Sequence, residues 1–242
     1  MSPQLIFKNT IKRNIKYSGI YIVLLLLINL IFGYKVIKVK YFSYYPDYTY
    51  NRKSLFGKLN ADIDSSSIVF IGNSLTQQYE LAEFFKNVNV KNRGINGDNS
   101  SGILSRVGDI VKFHPKKIFI ENGVNDLKEG VDQVRLLENF KQIFAIIKQE
   151  SPSSKLYVQS ILPVDQNGAA LGTSPLKNNN IRAVNKNLEA YCKTNNITFI
   201  NLYKHFVLAG EMNPKYFIAD GLHISADGYV LWTRLLKQYV NE

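Results

Sequence analysis

Five strand-length apolar runs alternate with helix-period segments from Ser67 onward, and that alternation leaves few folds open. The runs are Ile68–Ile71, Val88–Val90, Ile118–Ile120, Leu156–Ile161 and Ile197–Ile200. Between them lie Leu75–Lys86, Ser101–Phe113, Val131–Lys148 and Asn178–Thr194, whose apolar residues recur at helical spacing, and a last such segment runs from Ala226 to Val240. Strand, helix, strand, helix in this order implies crossover connections and a parallel sheet with helices on both faces. In sheets of that kind, sites form at the carboxyl ends of the strands.

Four short segments fall at those ends or in a loop that can return to them. They are Gly72-Asn73-Ser74-Leu75-Thr76, Asn92-Arg93-Gly94-Ile95-Asn96-Gly97, Gly123-Val124-Asn125-Asp126 and Asp220-Gly221-Leu222-His223. Together they offer what acyl transfer needs: a hydroxyl nucleophile, a base oriented by an acid, and donors for a developing oxyanion. Ser74 is the candidate nucleophile. His223, with Asp220 three residues earlier, is the candidate base. The Ser74 and Gly94 amides and the Asn125 carboxamide are the candidate oxyanion donors, because a glycine amide can be approached closely and an amide side chain can donate. Each residue also has a plain reading. Ser74 could only cap a helix, Gly94 and Asn125 could be turn residues, and Asp220 and His223 could sit in a surface turn. Gly97 and Asp126 read as structural partners of the same loops, and Asn73 as a turn stabiliser. His114 and His205, lacking an acid at that spacing, read as structural or surface residues.

Charge bears on partners. Residues 1–60 hold ten of the 30 Lys and Arg but one acid, Asp47, whereas the rest carries 20 bases against 18 acids. The folded domain therefore lacks the basic stripe that phosphate binding requires, and no nucleic-acid partner is expected. Cys192 is the only cysteine, which excludes an intramolecular disulfide and a cysteine-based metal site. At the other end of the chain, residues 17–34 carry no charge. Their helix would rise about 27 Å, near the hydrocarbon thickness of a bilayer, with Tyr17, Tyr21, Phe32 and Tyr34 placed as an aromatic belt. No small-residue cleavage site follows. The expected organisation is a basic tail (1–16), a transmembrane signal anchor contacting lipid (17–34), an aromatic linker (35–47) and the α/β domain (48–242). With a short tail held in the cytoplasm, that domain would lie on the extracytoplasmic side.

The four segments resemble the motif blocks of the SGNH, or GDSL-type, hydrolase superfamily, and more narrowly its branch of platelet-activating-factor acetylhydrolase-like and carbohydrate O-acetyl esterases. The likeness runs over roughly Tyr48 to Val240. One departure stands out: the common Gly-Asp-Ser is here Gly-Asn-Ser, at Gly72 to Ser74. The resemblance implies a flavodoxin-like three-layer α/β/α sandwich with a five-stranded parallel sheet. It implies attack by Ser74 on an ester carbonyl, His223 as base and then acid, Asp220 as its orienter, and an oxyanion hole of Ser74, Gly94 and Asn125, with no metal or cofactor. The segment Pro163 to Pro175 is the longest candidate loop after a strand, small and polar in composition, and suggests a short acyl group, acetyl, on a sugar or glycan. An O-acetyltransferase acting on a surface polysaccharide and a lipid esterase need the same parts and stay open. A non-catalytic glycan-binding domain is the third alternative.

Overall fold

The computed structural model describes residues 26–34 and 50–242, except 169, 170, 172, 173 and 175. The chain divides into two units, Met1–Asn51 and Arg52–Glu242. In the first unit residues 26–34 are helical. No helix among the described residues is long and apolar enough to cross a membrane. The spanning helix expected over 17–34, and the lipid contact expected of it, are corrected accordingly. Residues 1–16, 17–25 and 35–47 lie outside the described residues.

The second unit is the α/β domain anticipated from the alternation. Strands β1 (Ile68–Gly72), β2 (Val90–Gly94), β3 (Lys117–Glu121), β4 (Lys155–Gln159) and β5 (Thr198–Ile200) form one parallel sheet in the order β2-β1-β3-β4-β5. This is the flavodoxin-like order, with its switch point between β1 and β3. β1 and β3 are buried along their whole length, as strands covered on both faces must be. A two-stranded hairpin, β6 (Val207–Leu208) with β7 (Glu211–Met212), lies outside the main sheet.

Helix α1 occupies residues 50–59. It is followed by α2 (Ser74–Gln77), α3 (Leu81–Phe85), α4 (Ser100–Leu104), α5 (Gly108–Val111), α6 (Val124–Lys128), α7 (Gln133–Glu150), α8 (Asn178–Thr194) and α9 (Ala226–Asn241). Strand periodicity splits the core in two. Val69, Ile71, Ile118, Ile120 and Val158 face an aliphatic layer from α4, α5, α7 and α8, which includes Val107, Leu136, Ile143 and Leu188. Ile68, Phe70, Phe119 and Tyr157 face the other way, against Leu75, Tyr79, Tyr229, Trp232 and Leu236 of the α2–α3 segment and α9.

Two of the expected helices are broken, and in both cases a polar side chain ends the first piece. Within Leu75–Lys86, the Asn92 carboxamide of β2 donates to Thr76 O (2.7 Å), Gln77 O (3.3 Å) and Tyr79 O (3.0 Å), taking the carbonyls that a continuing helix would use. Within Ser101–Phe113, the Arg106 side chain turns inward to Asp98 and to Gly72 O. The strand expected at Val88–Val90 begins only at Val90, and Val88 is exposed.

Candidate active site

Ser74 opens α2 two residues beyond the end of β1. Asn73 caps that helix, its Oδ1 accepting from Leu75 N at 2.9 Å. The loop that brings the histidine back is pinned on both layers, since Leu222 is buried in the aliphatic core and Ile224 in the aromatic one. Ile218 N donates to His223 O at 2.9 Å and Asp165 N to Gly221 O at 2.8 Å, closing the loop on itself and on the segment after β4.

The consequence is a contact between residues 149 positions apart: His223 Nε2 lies 3.1 Å from Ser74 Oγ. On the far side of the ring, His223 Nδ1 lies 2.5 Å from Asp220 Oδ2. The second Asp220 oxygen accepts from Leu222 N and His223 N, each at 2.9 Å. Burial opposes ionisation of Asp220, but the His223 bond and the two amides outweigh it, so the carboxyl sits below its ordinary range. An ionised Asp220 can only accept, so the imidazole carries its hydrogen on Nδ1. The Nε2 lone pair then faces the Ser74 hydroxyl. His114 and His205 are both exposed.

The donors need one correction. Gly94, expected as an oxyanion donor, closes β2, and its N–H donates to Asn92 Oδ1 at 2.8 Å. A Cβ there would stand 2.3 Å from Gln77 N, so close packing of β2 on α2 accounts for this glycine. Its amide is already committed. Three residues on, Gly97 is exposed, at φ +75°, and its N–H has no partner among the described residues. The Gly97 turn runs beside the Ser74 turn: Ile95 N donates to Gly72 O at 3.0 Å and Asn96 N to Gln77 Oε1 at 2.8 Å. Asn125 arrives from the start of α6, and Nδ2 donates to Asp98 O at 2.8 Å. That bond uses one of its two hydrogens and leaves the other to a ligand. The Ser74 N–H likewise has no partner among the described residues.

A buried polar layer supports these donors from the aliphatic side. Arg106 Nε donates to Asp98 Oδ2 at 2.8 Å and Nη2 to Gly72 O at 3.2 Å, joining the Gly97 loop to the Ser74 turn. Burial pushes the Asp98 carboxyl up and the Arg106 guanidinium down, while each draws its partner back toward the charged form. Asp126 accepts from Ser100 N at 3.1 and 2.9 Å and from Ser100 Oγ at 2.5 Å, fastening α6 to α4. It has the structural part expected of it. From sequence Gly97 read only as a structural partner, and Arg106 and Asn92 were given no role. A glycine one residue before an acid, in a loop just after a strand, is the signal that could have marked Gly97. Arg106 sits mid-segment in an apparent helix, where a charge reads as solvent-facing.

A serine hydroxyl facing an imidazole held by a carboxylate, beside unengaged N–H donors on a flavodoxin-like sheet, is an arrangement that can support acyl transfer. The sequence profile of the GDSL-like Lipase/Acylhydrolase family matches residues 70–231, and the chain belongs to that family. It is 28% identical over 176 residues to the platelet-activating factor acetylhydrolase IB subunit alpha1 of Bos taurus, covering 70% of this chain and 72% of the relative. An acylhydrolase structure from Bacteroides fragilis NCTC 9343 matches with a TM-score of 0.67 at 28% identity, covering 77% of this chain and 94% of that one. A platelet activating factor structure from Streptococcus pneumonia shares the fold with a TM-score of 0.76 at 24% identity, over 85% of this chain and 99% of that one. The protein is an acylhydrolase of the GDSL type.

Proposed function

We propose that this acylhydrolase works by a Ser74–His223–Asp220 mechanism on short-acyl esters of carbohydrate. The observation that carries the mechanism is the unbroken relay from Asp220 Oδ2 through the ring to Ser74 Oγ, at 2.5 and 3.1 Å. His223 Nε2 takes the hydroxyl proton as Ser74 Oγ bonds to the ester carbonyl carbon. The carbonyl oxygen becomes an oxyanion received by the Ser74 and Gly97 amides and the free Asn125 hydrogen. Collapse breaks the ester C–O bond, and His223 returns the proton to the leaving alcohol. Water, deprotonated by the same nitrogen, then releases the acid from Ser74.

Support for a small polar substrate comes from beside the histidine loop. Asp165, Gln166 and Asn167, with Glu211 and Met212 of β7 and Pro214 just after it, line a cavity of about 420 Å³. Carboxylates and amides suit the hydroxyls of a sugar and offer little to a long alkyl chain. The test is a panel of p-nitrophenyl acetate, butyrate and longer esters with O-acetylated sugars, run on the full chain. Platelet-activating factor joins the panel because the bovine relative's name includes it. The acetyl esters should turn over fastest and the acetylated sugars should be cleaved. Preference for long chains refutes the short-acyl reading, and preference for the lipid ester moves the substrate to that class. Ser74→Ala should lower kcat by about 10⁶-fold without changing thermal unfolding. Wild-type turnover in that variant would reject the nucleophile.

A further inference from the structure

Beneath the nucleophile turn lies an acid that this mechanism leaves unused. Glu121 is the last residue of β3, in register with Gly72, and has no exposed surface. Strand periodicity turns it, like Phe119, toward the layer that holds α2 and α9. One oxygen, Oε2, accepts a long bond of 3.4 Å from Asn73 Nδ2. The other, Oε1, has no hydrogen-bond partner. The same Asn73 side chain presents its oxygen to Leu75 N and so caps the helix that begins with Ser74. Glu121, Asn73 and the first turn of α2 therefore form one connected unit. An aspartate at position 73 would have no N–H to offer Glu121, whereas asparagine serves both neighbours.

Taking Ser74 as the nucleophile, we propose that Glu121 is a positioning residue that works as a neutral acid: it fixes the Asn73 carboxamide, and its ionisation releases the Ser74 turn and shuts the reaction down. A buried carboxylate with a single long hydrogen bond is poorly compensated, whereas the neutral acid is tolerated. Burial pushes the Glu121 carboxyl up to about 8, with the Asn73 bond pulling the other way. Among the described residues no cation pairs with it. β1 contributes Gly72 and the cap of α2 contributes Asn73, and on β4 Gln159 follows Val158, the register partner of Ile120. Gln159 Oε1 accepts from Trp232 Nε1 of α9 at 2.7 Å. Tyr229 of α9 is the titratable neighbour that feels its charge, and burial holds that phenol far above its usual range, so it stays neutral. The guanidinium that reaches Gly72 O, Arg106, is paired with Asp98.

The test follows kcat and KM for p-nitrophenyl acetate with pH in the full chain and three variants. Wild-type kcat should fall as pH rises through about 8. Glu121→Leu should lose about 10²-fold in kcat at neutral pH with KM within a few-fold, the scale of a misplaced catalytic group. Glu121→Gln should recover most of that loss and show no alkaline fall. Asn73→Asp should move the fall to higher pH, because two adjoining carboxyls hold one proton more tightly. A difference infrared spectrum should show a protonated-carboxyl band at neutral pH that is missing in Glu121→Gln. An unchanged alkaline fall in Glu121→Gln, or a Gln variant as slow as Leu, overturns the proposal. If Glu121→Leu does not fold, the Gln and Asp variants and the infrared band still decide it. Failure of the Ser74 reading is distinguishable: Ser74→Ala would then keep turnover, while the infrared band would persist.

Discussion

The two faces of the sheet hold the two halves of the site by different chemistry. On the aromatic face, Phe70, Phe119 and Tyr157 are register partners on β1, β3 and β4. Their rings stack at 4.5 Å with interplanar angles of 5° and 8°. The residues packed over them bring polar tips. Tyr229 donates to Leu75 O at 2.8 Å, Trp232 to Gln159, and the Tyr79 hydroxyl lies 2.6 Å from that of Thr233. The nucleophile turn thus rests on neutral groups, Glu121 among them in its protonated form. On the aliphatic face, Val, Ile and Leu supply most of the packing, with Phe140 and Phe144 of α7 beside them. There the donor side of the site is fastened by ionisable groups, Arg106 with Asp98 and Asp126 with Ser100. Aromatic residues can bury area and still hold a backbone carbonyl. In the mostly aliphatic layer, buried ionisable groups do this on the donor side of the site.

The largest break in that comparison should come from the charged side. Arg106→Met keeps much of the side-chain volume but leaves Asp98 buried without its cation. Breaking one partner of a buried pair costs about 3–5 kcal/mol, so the variant should unfold well below wild type in a urea or thermal titration. Arg106→Met paired with Asp98→Asn should regain much of the loss, because no charge is then stranded. A double variant as unstable as the single would mean that Arg106 acts through Gly72 O alone.

Next in size is Asn125→Ala. It removes the carboxamide that bridges to Asp98 O and carries the second hydrogen proposed for the oxyanion. Loss of one such donor costs about 10²–10³ in kcat. KM should stay nearly constant, and thermal unfolding should drop far less than in Arg106→Met. A variant that loses stability but keeps kcat would make Asn125 a loop fastener, leaving the Ser74 and Gly97 amides as the donors.

The same contrast explains what could be read from sequence. Ile68–Ile71 and Ile118–Ile120 announce central strands because both of their faces are buried. β2 does not, since Val-Lys-Asn-Arg-Gly is an edge strand whose polar side chains find partners only in the folded chain. Ser74, Asp220 and His223 were legible as a candidate set because few residue types can do acyl chemistry, and the structure brings the three into contact. The choice between Gly94 and Gly97 was not legible. It turns on whether the Asn92 side chain occupies an amide, and no periodicity encodes that. The apolar stretch at 17–34 taught the opposite lesson. Apolar length alone suggested a span, yet no helix among the described residues is long and apolar enough to be one.

The smallest and sharpest comparison is Tyr229→Phe. The ring stays, with its stack on Trp232 (10° between planes), and only the hydroxyl bonded to Leu75 O is lost. Leu75 follows the nucleophile, so its carbonyl belongs to the first turn of α2. A neutral hydrogen bond of this kind contributes about 0.5–1.5 kcal/mol, so the stability loss should be about a quarter of that in Arg106→Met. The informative readout is kcat. If the aromatic layer sets the nucleophile through its polar tips, kcat should fall several-fold while KM holds. A volume change of similar cost on the other face, Ile143→Val, should lower stability by about 1 kcal/mol and leave kcat alone. Equal kcat in the two variants would reduce the aromatic layer to packing and leave Glu121 and Asn73 as the only groups fixing Ser74 from below.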